Sequence, residues 1–374
     1  MKQQKHEGVI CRLKAVRIQK QITQIDLAEQ VGIKRQAVYD IESGRYLPNT
    51  GVALKLARCL ECRIEDLFQI PGSDKSLPAV VAAKVNPGAG ARVTLAKING
   101  RVVAHPLGND IPGDHGLAPA DAMLSSCGNK VTLLHDPEFL EKTVLLMGCD
   151  PAFSLLQAHV AHTCRESRVA WRFASTHRSL EHLIAGEAHL AGVHLHNKGS
   201  NESNVALARK KLKGAKGRLV GFSLFEEGLM TAPGNPLKIR GVNDLADKRI
   251  KMVNRERGAA LRVLLDDCLE QENIPPLSVA GYNDLVASHS EGAHRVMFGT
   301  ADVALGIRAV SVSFGLGFVP LAEVRSDLVI PEEIFNHPTV QVLLDVLQTR
   351  AFHRELASLE GYDAGITGKV IAQI

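Results

Sequence analysis

The sequence predicts an all-α domain of five helices, a small β-rich segment and an α/β domain, in that order. Apolar residues near the N-terminus recur three and four residues apart, which is helical spacing. From about residue 143 onward, buried strands alternate with amphipathic helices, which is typical of an α/β sheet. The predicted boundaries are an all-α domain at 1–70, a Pro-, Gly- and Ser-containing linker at 71–78, a β-rich subdomain at 79–142 and an α/β domain at 143–374.

The composition is that of ordinary globular domains, with 45% hydrophobic and 22% charged residues. No apolar run approaches the roughly 18 residues that a bilayer-spanning helix needs, and the start "MKQQKHEG" lacks the apolar core of a secretory signal. We therefore expect a cytoplasmic protein without a membrane anchor. Seven cysteines, an odd number scattered through a long chain, favour reduced thiols over a disulfide framework.

The surplus of positive charge lies entirely near the N-terminus. Residues 1–70 contain 12 Lys and Arg against 8 Asp and Glu, whereas the rest of the chain contains 32 of each. A small basic domain joined to a neutral larger one suggests a polyanionic partner, although a chance local excess is the alternative.

Five helices are predicted in the basic domain. The first covers 9–19, Thr23 caps the second, Gly32 ends it, and the third runs over 34–43 to Gly44. "NTGVALKLARCL" and "RIEDLF" follow as the fourth and fifth helices. The apolar positions expected to face inward on the first three helices are Val9, Leu13, Val16, Ile25, Leu27, Ala28, Val31, Ala37, Val38 and Ile41.

Two short helices joined by a tight glycine turn have the geometry that seats the second helix in the DNA major groove. Through "TQIDLAEQVG", "QAVYDIESGR" and "IEDLF", residues 9–68 resemble a helix-turn-helix domain of the phage-repressor and Cro (XRE-like) class. The alternative is a helical bundle used only for protein contacts. The DNA-contacting residues expected from this resemblance and from the exposed face of the third helix are Gln24, Lys34, Arg35, Gln36, Tyr39 and Arg45, the last on phosphate.

Cys59 and Cys62 have C-x-x-C spacing, but no second pair follows at zinc-finger distance, so we interpret them as packing residues. Farther along, "ARVTLAKINGRVVAHPL" alternates around Asn99-Gly100 and predicts a type I′ β-hairpin. The role of the segment 79–142 is not indicated by its residues.

Three loops of the α/β domain connect a strand to a helix: "GCDPAF", "ASTHRS" and "NRERGAA". Free backbone N–H groups at each helix start favour an anion, and a mostly parallel sheet would gather such loops at the carboxyl ends of its strands. One such junction is ordinary topology, but several facing one cleft predict an anion site.

The C-terminal region resembles the periplasmic-binding-protein-like domain of a molybdate-related family. Long blocks carry the resemblance, including "GCDPAFSLL", "GEAHLAGVHL", "VNRERGAALRVLLDD", "GYNDLVASH" and "GYDAGITG". It implies a two-lobed fold that closes on a ligand. The residues that it places near the cleft are Asp150, Ser175, His194, Arg255, Gly258, Tyr282 and His289.

The chain departs from the family pattern at Ala259, Ala260 and Leu261, where the family prefers Ser-Gly-Thr, and at Gly292 in place of an apolar residue. Two side-chain hydroxyls are missing, so anion binding would depend on backbone N–H groups and on nearby Arg255 or Arg262. The ligand therefore need not be that of the family.

Histidines offer a competing hypothesis, because imidazoles ligate zinc or nickel. No Cys or carboxylate spacing completes a known metal site, and no Walker, nucleophile-elbow or HExxH motif indicates an enzyme or a cofactor. The histidines concerned are His159, His162, His177, His182, His189, His194 and His196, the last two expected on one face of a strand.

Together these features predict a one-component transcriptional regulator without catalytic activity. Its partners would be double-stranded operator DNA, a small anionic ligand such as molybdate, tungstate or a related molybdenum-cofactor metabolite, and a second copy of the chain in a homodimer. The alternatives are a transition-metal sensor and a constitutive DNA-binding protein with a vestigial ligand domain.

Overall fold

The structure is a computed structural model that describes residues 9–69, 76–82, 87–107, 118–196 and 203–374. The chain forms two compact units, Met1–Ser76 and Leu77–Ile374. Most of the predicted linker, 71–75, lies outside the described residues. Within them, no helix is both long and apolar enough to cross a membrane.

The N-terminal domain is a bundle of five helices closed by a short two-stranded sheet. Its elements are β1 Ile10–Cys11, α1 Leu13–Gln19, α2 Gln24–Val31, α3 Arg35–Glu42, α4 Thr50–Cys59, α5 Ile64–Leu67 and β2 Phe68–Gln69. Because β1 pairs antiparallel with β2, the first helix begins at Leu13, and our prediction of a start at Val9 was wrong. A pairing between the two ends of a domain leaves no local signal in the sequence.

Helix α2 has the predicted caps at both of its ends. Thr23 and Asp26 form a capping box at the start of α2, and Gly32 ends the helix in the left-handed conformation with φ 76°. Ile25, expected to be buried, is 52% exposed, because it lies along a shallow groove with Gln24 and Arg35 rather than in the core. Cys59 and Cys62 are free and pack against the core of the domain, in agreement with the packing interpretation.

A buried ion pair joins the first three helices. Arg17 donates to both carboxylate oxygens of Glu42, at 2.6 and 3.2 Å, and to the main-chain oxygen of Ile22 at 2.9 Å. Gln24 Nε2 donates to the same carboxylate at 2.7 Å. The Glu42 side chain is only 3% exposed, so this pair fixes the spacing of α1, α2 and α3 away from water.

The β-rich segment is a sheet of six strands in the described residues, in the order β3-β8-β7-β5-β6-β4. Its strands are β3 Ser76–Pro78, β4 Val80–Val81, β5 Arg92–Ile98, β6 Arg101–Pro106, β7 Ala122–Leu124 and β8 Lys130–Leu133. Asn99 and Gly100 connect β5 to β6 with φ angles of 50° and 75°, which confirms the predicted tight hairpin. The end of the predicted linker, residues 76–78, is a strand of this sheet.

This sheet shares its core with the α/β region. Ile98 and Val103 pack in one apolar cluster with Leu145 and Met147. His189 is buried at the junction, where its Nδ1 accepts from Leu145 N at 2.9 Å and its Nε2 contacts Lys97 O at 3.1 Å. The segment therefore belongs to the second compact unit.

The α/β region follows the predicted alternation of strands and helices. Its elements are β9 Thr143–Gly148, α6 Phe153–Thr163, β10 Arg168–Phe173, α7 Thr176–Ile184, β11 Leu190–His194, α8 Ser203–Leu212, β12 Gly217–Thr231, β13 Met252–Arg255, α9 Ala260–Gln271, β14 Leu285–Val286, α10 His289–Met297, β15 Val303–Ile307, α11 Arg308–Ser313, β16 Gly317–Pro331, α12 Pro338–Val346, α13 Arg350–Ala357, β17 Tyr362–Asp363 and β18 Val370–Gln373. Strand β11 ends at His194. The prediction that His196 lies on one face of this strand together with His194 was therefore wrong.

The strands are arranged as two lobes joined by two long crossing strands. One lobe has parallel strands β10, β9 and β11, and the other has parallel strands β14, β13 and β15. The 15-residue strands β12 and β16 pair antiparallel with each other and extend through both lobes. The two-lobed prediction is confirmed, but the sheet is mixed rather than mostly parallel, because β12 and β16 run against their neighbours β15 and β11.

Candidate ligand cleft and DNA-reading face

Helix α3 presents a polar face to solvent in the N-terminal domain. Arg35, Gln36 and Tyr39 are exposed, whereas Val38 and Ile41 on the opposite side are buried. We call the exposed set, with the half-buried Asp40, the reading face. Its side chains are of the types that contact base edges and phosphates.

Internal contacts orient several residues around the reading face. Gln36 Nε2 donates to Asp40 Oδ1 at 3.2 Å, and the Arg45 guanidinium lies 5.6 Å from the ring centre of Tyr39. Lys34 is exposed at the N-cap of α3. Gln24 differs from the others, because one N–H of its amide donates to Glu42, which leaves its second N–H and its oxygen for another partner.

A cleft of about 630 Å³ lies between the two lobes of the second unit. One wall is the start of α7, and the other is formed by the loop after β13 and by the segment between β14 and α10. We call this site the ligand cleft; its lining residues are Ser175, His177, Arg178, Glu256, Arg257, Gly258, Leu285, Val286, Ala287 and Glu291.

Two arginine side chains of the cleft have no polar partner among the described residues. Arg178 and Arg257 are exposed, and neither guanidinium has an ion-pair or hydrogen-bond partner among the described residues. Of the two acidic residues, Glu256 pairs with Arg255, and the carboxylate of Glu291 is turned to the main-chain N–H of Ala287, from which it accepts at 2.7 Å. The cleft is therefore open to an anion on its cationic side.

The first turn of α7 adds backbone donors to this wall. Ser175 is the N-cap residue, and its side chain makes no capping hydrogen bond. The first N–H groups of a helix have no partner within the helix, and the helix dipole makes that end favourable for negative charge. Across the cleft, a Cβ on Gly258 would lie 4.0 Å from His177 Cδ2, so the two walls are close together there. Gly258 has φ 88°, which a side chain would strain.

Of the residues expected near the cleft, Ser175 and Gly258 line it, and the other five do not. Arg255 is 3% exposed, and its guanidinium bonds Ala287 O at 2.9 Å and Glu256 at 3.2 Å. Arg255 therefore stabilises the cleft wall from its buried side, through bonds to two residues that line the cleft. The guanidinium that faces the cleft is that of Arg257, two residues later.

Tyr282 and Asp150 are engaged inside the lobes. The hydroxyl of Tyr282 donates to Asp266 at 2.6 Å, and the guanidinium of Arg262 lies 3.9 Å from the centre of the Tyr282 ring. Asp150 is 1% exposed and accepts from Tyr362 at 2.7 Å and from Ser223 at 3.2 Å. Burial raises the pKa of Asp150, although the hydrogen bonds from Tyr362 and from the main-chain N–H of Ala152 oppose the shift.

His194 lies in a buried polar group behind the α7 wall. Its Nε2 is 3.2 Å from Glu227 Oε1, and its Nδ1 is 3.4 Å from Cys149 Sγ. Burial alone would lower the pKa of His194, but Cys149 and Glu227 outweigh it and raise that pKa well above its usual value. On the other lobe, burial and the nearby Arg255 and His194 lower the pKa of His289 well below its usual value.

Sequence reasoning missed Arg178, Arg257 and Glu227. Arg178 and Arg257 stood inside the quoted loops, so their position was predicted, but which of several neighbouring arginines faces the cleft depends on the local backbone. Nothing in the sequence marked Glu227, which the crossing strand β12 carries into the interior. For the histidines, no group of three or more His, Cys, Asp or Glu in the described part of the chain is arranged to hold a metal ion.

Comparison with known families identifies both units. The family described as a PBP superfamily domain matches residues 157–348, and a helix-turn-helix family matches residues 13–67. The chain belongs to the PBP superfamily domain family and has a helix-turn-helix domain of the XRE-like type at its N-terminus. It is a DNA-binding regulator fused to a periplasmic-binding-protein-like ligand-binding domain.

Individual relatives match different lengths of the chain. The uncharacterized protein YvgK of Bacillus subtilis (strain 168) is 28% identical over 230 residues, which cover 62% of this chain and 74% of the relative. An uncharacterized HTH-type transcriptional regulator of Archaeoglobus fulgidus is 40% identical over 57 residues, 15% of this chain and 81% of the relative. The substrate-binding domain of a molybdenum ABC transporter from Clostridium difficile superposes with a TM-score of 0.41 at 11% identity, over 59% of this chain and 98% of that domain. A likeness this distant says nothing about the ligand.

Proposed function

We propose that this protein is a one-component transcriptional regulator in which a small anion binds in the ligand cleft and changes the affinity of the N-terminal domain for operator DNA. The observation that carries the proposal is the pair Arg178 and Arg257, which face one cleft from opposite lobes without partners among the described residues. A ligand that neutralises both draws the lobes together. Because the protein acts on DNA, we place it in the cytoplasm.

The candidate ligands are molybdate, tungstate and related oxyanions, and metabolites of the molybdenum cofactor. All are anionic, and all would use the arginines and the α7 N–H groups that this cleft provides. The seven residues expected near the cleft from the sequence have different roles in this proposal. Ser175 and Gly258 contact the ligand, whereas Asp150, Arg255 and Tyr282 stabilise the walls. His194 and His289 lie in the buried polar group behind them.

Binding of an anion should stabilise the second unit against heat. A ligand at a hundredfold excess over its Kd adds about 2.7 kcal/mol of stability, which is visible as a rise in melting temperature. Molybdate, tungstate, sulfate, phosphate and organic phosphates would be screened by thermal shift on the full chain. We expect Arg257→Gln and Arg178→Gln to abolish the rise produced by the anion that binds.

A matched control is Arg249→Gln. Arg249 lies in the same unit, its side chain is 90% exposed, and its partner is Asp247 rather than any residue of the cleft. Its removal should leave the ligand-induced rise unchanged. Failure of every anion to raise the melting temperature, or equal losses in Arg249→Gln, would refute the anion site.

The regulator should also be a homodimer. One helix-turn-helix domain covers one half-site, and two-fold operators place two such domains about one helical turn apart. Because the N-terminal domain is small, we expect the region after residue 78 to hold the two copies together. Sedimentation velocity should give twice the 40.4 kDa mass of the chain. A monomer at working concentration, both alone and on DNA, would contradict this proposal.

A further inference from the structure

A dense run of positive charge lies at the end of helix α8 and in the turn that follows it. Between residues 203 and 225 the chain has six basic residues and no Asp or Glu, although the chain after residue 70 has equal numbers of both signs. We call these six residues the α8 cationic patch. They fall within ten positions: Arg209, Lys210, Lys211, Lys213, Lys216 and Arg218. Positive charge is therefore concentrated at one place in a unit that is neutral as a whole.

The packing of α8 fixes the direction in which the patch faces. Val205, Ala208 and Leu212 recur three and four residues apart, so they lie on one side of the helix. This side packs against Leu219 and Val329 of the strands β12 and β16. The opposite side of the helix and the turn after it therefore face solvent. The exposed residues of the patch are Arg209, Lys210, Lys213 and Lys216.

Most of the charge of the patch is not neutralised within the described part of the chain. Arg218 is the exception, because it pairs with Glu332 at 3.2 Å and lies 3.7 Å from the ring centre of Phe335. Arg209 donates to the main-chain oxygen of Gln373 at 3.3 Å, which leaves its charge without an anionic partner. The four lysines make no ion pair or side-chain hydrogen bond with a described residue.

Stabilisation of the helix accounts for only part of the patch. Cations in the last turn of a helix interact favourably with the helix dipole, and Arg209, Lys210 and Lys211 occupy the last turn of α8. Lys213 and Lys216 come after the end of the helix, where this effect has fallen off. Like charges so close together repel one another, and a polyanion bound to the patch would remove this repulsion.

We propose that the α8 cationic patch binds the phosphate backbone of duplex DNA that flanks the operator. Charge complementarity selects this partner, because a duplex is a dense row of phosphates and the same chain has a DNA-binding domain. Lysine ammonium groups on flexible side chains contact phosphate without reading bases, so these contacts are independent of sequence. A lipid surface fits less well, because the apolar side of α8 is packed inside the unit and cannot enter a membrane. The inference does not depend on what the ligand cleft binds.

The test compares two duplexes that contain the same operator. One ends at the edges of the operator, and the other continues for about two helical turns of arbitrary sequence on each side. Binding of the full chain is measured by fluorescence anisotropy over a series of salt concentrations. The flanked duplex should bind more tightly, with a slope of log K against log salt concentration that is steeper by at least about two units, since each neutralised phosphate adds about 0.9. The same slope for both duplexes would overturn the inference.

Two triple variants assign the extra slope to the patch. The combined change Lys210→Gln, Lys213→Gln and Lys216→Gln should remove the advantage of the flanked duplex and leave binding to the short duplex as before. The control removes the same charge from three exposed residues elsewhere in the second unit: Lys238→Gln, Arg240→Gln and Lys248→Gln.

The control variant should keep the full advantage of the flanked duplex. An advantage that persists in the patch variant, or an equal loss in the control, would refute the role of the patch. Binding of the wild type to phosphatidylserine vesicles that the patch variant loses, with no effect of flanking DNA, would assign the patch to membranes and overturn the inference.

Discussion

Replacement of Glu42 by alanine is expected to destabilise the N-terminal domain by about 3–5 kcal/mol, the cost of leaving a buried charge without its partner. The change leaves the Arg17 guanidinium with the main-chain oxygen of Ile22 as its remaining partner in the described domain. It also frees the amide of Gln24, which this carboxylate orients. Operator binding should therefore weaken together with stability.

Denaturant unfolding of the full chain, followed by circular dichroism, measures this loss. The matched control is Glu61→Ala, because Glu61 forms an ion pair with Lys20 in the same domain but is 83% exposed. Exposed pairs contribute about 0–1 kcal/mol, so this control should remain close to the wild type. Equal effects of the two substitutions would show that the Arg17–Glu42 pair does not stabilise the domain.

The same carboxylate gives the domain a specific acid sensitivity. Burial alone would raise the pKa of Glu42, but hydrogen bonds from Arg17 and Gln24 and the charge of Arg17 outweigh burial and lower it below 4.5. The unfolded chain therefore binds this proton more readily than the folded domain does. The stabilisation is present above pH 4.5 and is lost as the pH falls through the folded-state pKa. Glu42→Gln should flatten the dependence of the unfolding free energy on pH in this range. The same pH dependence in Glu42→Gln and in the wild type would contradict the assignment to Glu42.

Substitutions on the reading face should produce large losses of operator affinity. Arg35 and Gln36 are exposed on α3, and each contact to a base is worth about 1–3 kcal/mol. We expect Arg35→Ala or Gln36→Ala to weaken operator binding by about fivefold to 150-fold and to relax specificity at one base pair. Arg45→Ala should instead weaken binding to all sequences alike. It should also lower the slope of log K against log salt concentration by about one unit, as expected for the loss of a phosphate contact.

Gel shift at fixed salt, with an operator obtained by selection from random duplexes, compares these variants. Arg58→Ala is a control of the same residue type, because Arg58 is exposed in the last turn of α4 rather than on the reading face. Unchanged affinity in Arg35→Ala, Gln36→Ala and Arg45→Ala would refute the assignment of this face and its surroundings to DNA binding. A loss in Arg58→Ala as large as theirs would show that general charge, rather than base contact, governs binding.

Local features of the fold could be predicted from sequence, because their cause lies within a few residues. Thr23 with Asp26 caps α2, and Asn99-Gly100 makes a tight turn in which both residues have positive φ. Features that join distant segments could not be predicted in this way. The pairing of β1 with β2 and the long crossing strands β12 and β16 depend on contacts that leave no local pattern.

The same distinction between local and long-range causes applies to the candidate site. The loops "ASTHRS" and "NRERGAA" were recognised, and both line the cleft, because a helix start after a strand end is a local pattern. Which side chain of a loop enters the cleft depends on backbone conformation, so Arg255 was expected there and Arg257 is found. Glu227 belongs to a 15-residue strand, and its burial follows from the packing of both lobes around that strand.

The central claim is that occupation of the cleft changes DNA binding, and one measurement tests it directly. Operator affinity of the full chain would be determined with and without a saturating concentration of the anion that stabilises the cleft, in the wild type and in Arg257→Gln. We predict that the anion changes the operator affinity of the wild type by at least about fivefold, the usual lower range of allosteric coupling, and leaves Arg257→Gln unaffected. The same operator affinity in the wild type with and without bound anion would show that the two units act independently and would contradict the account.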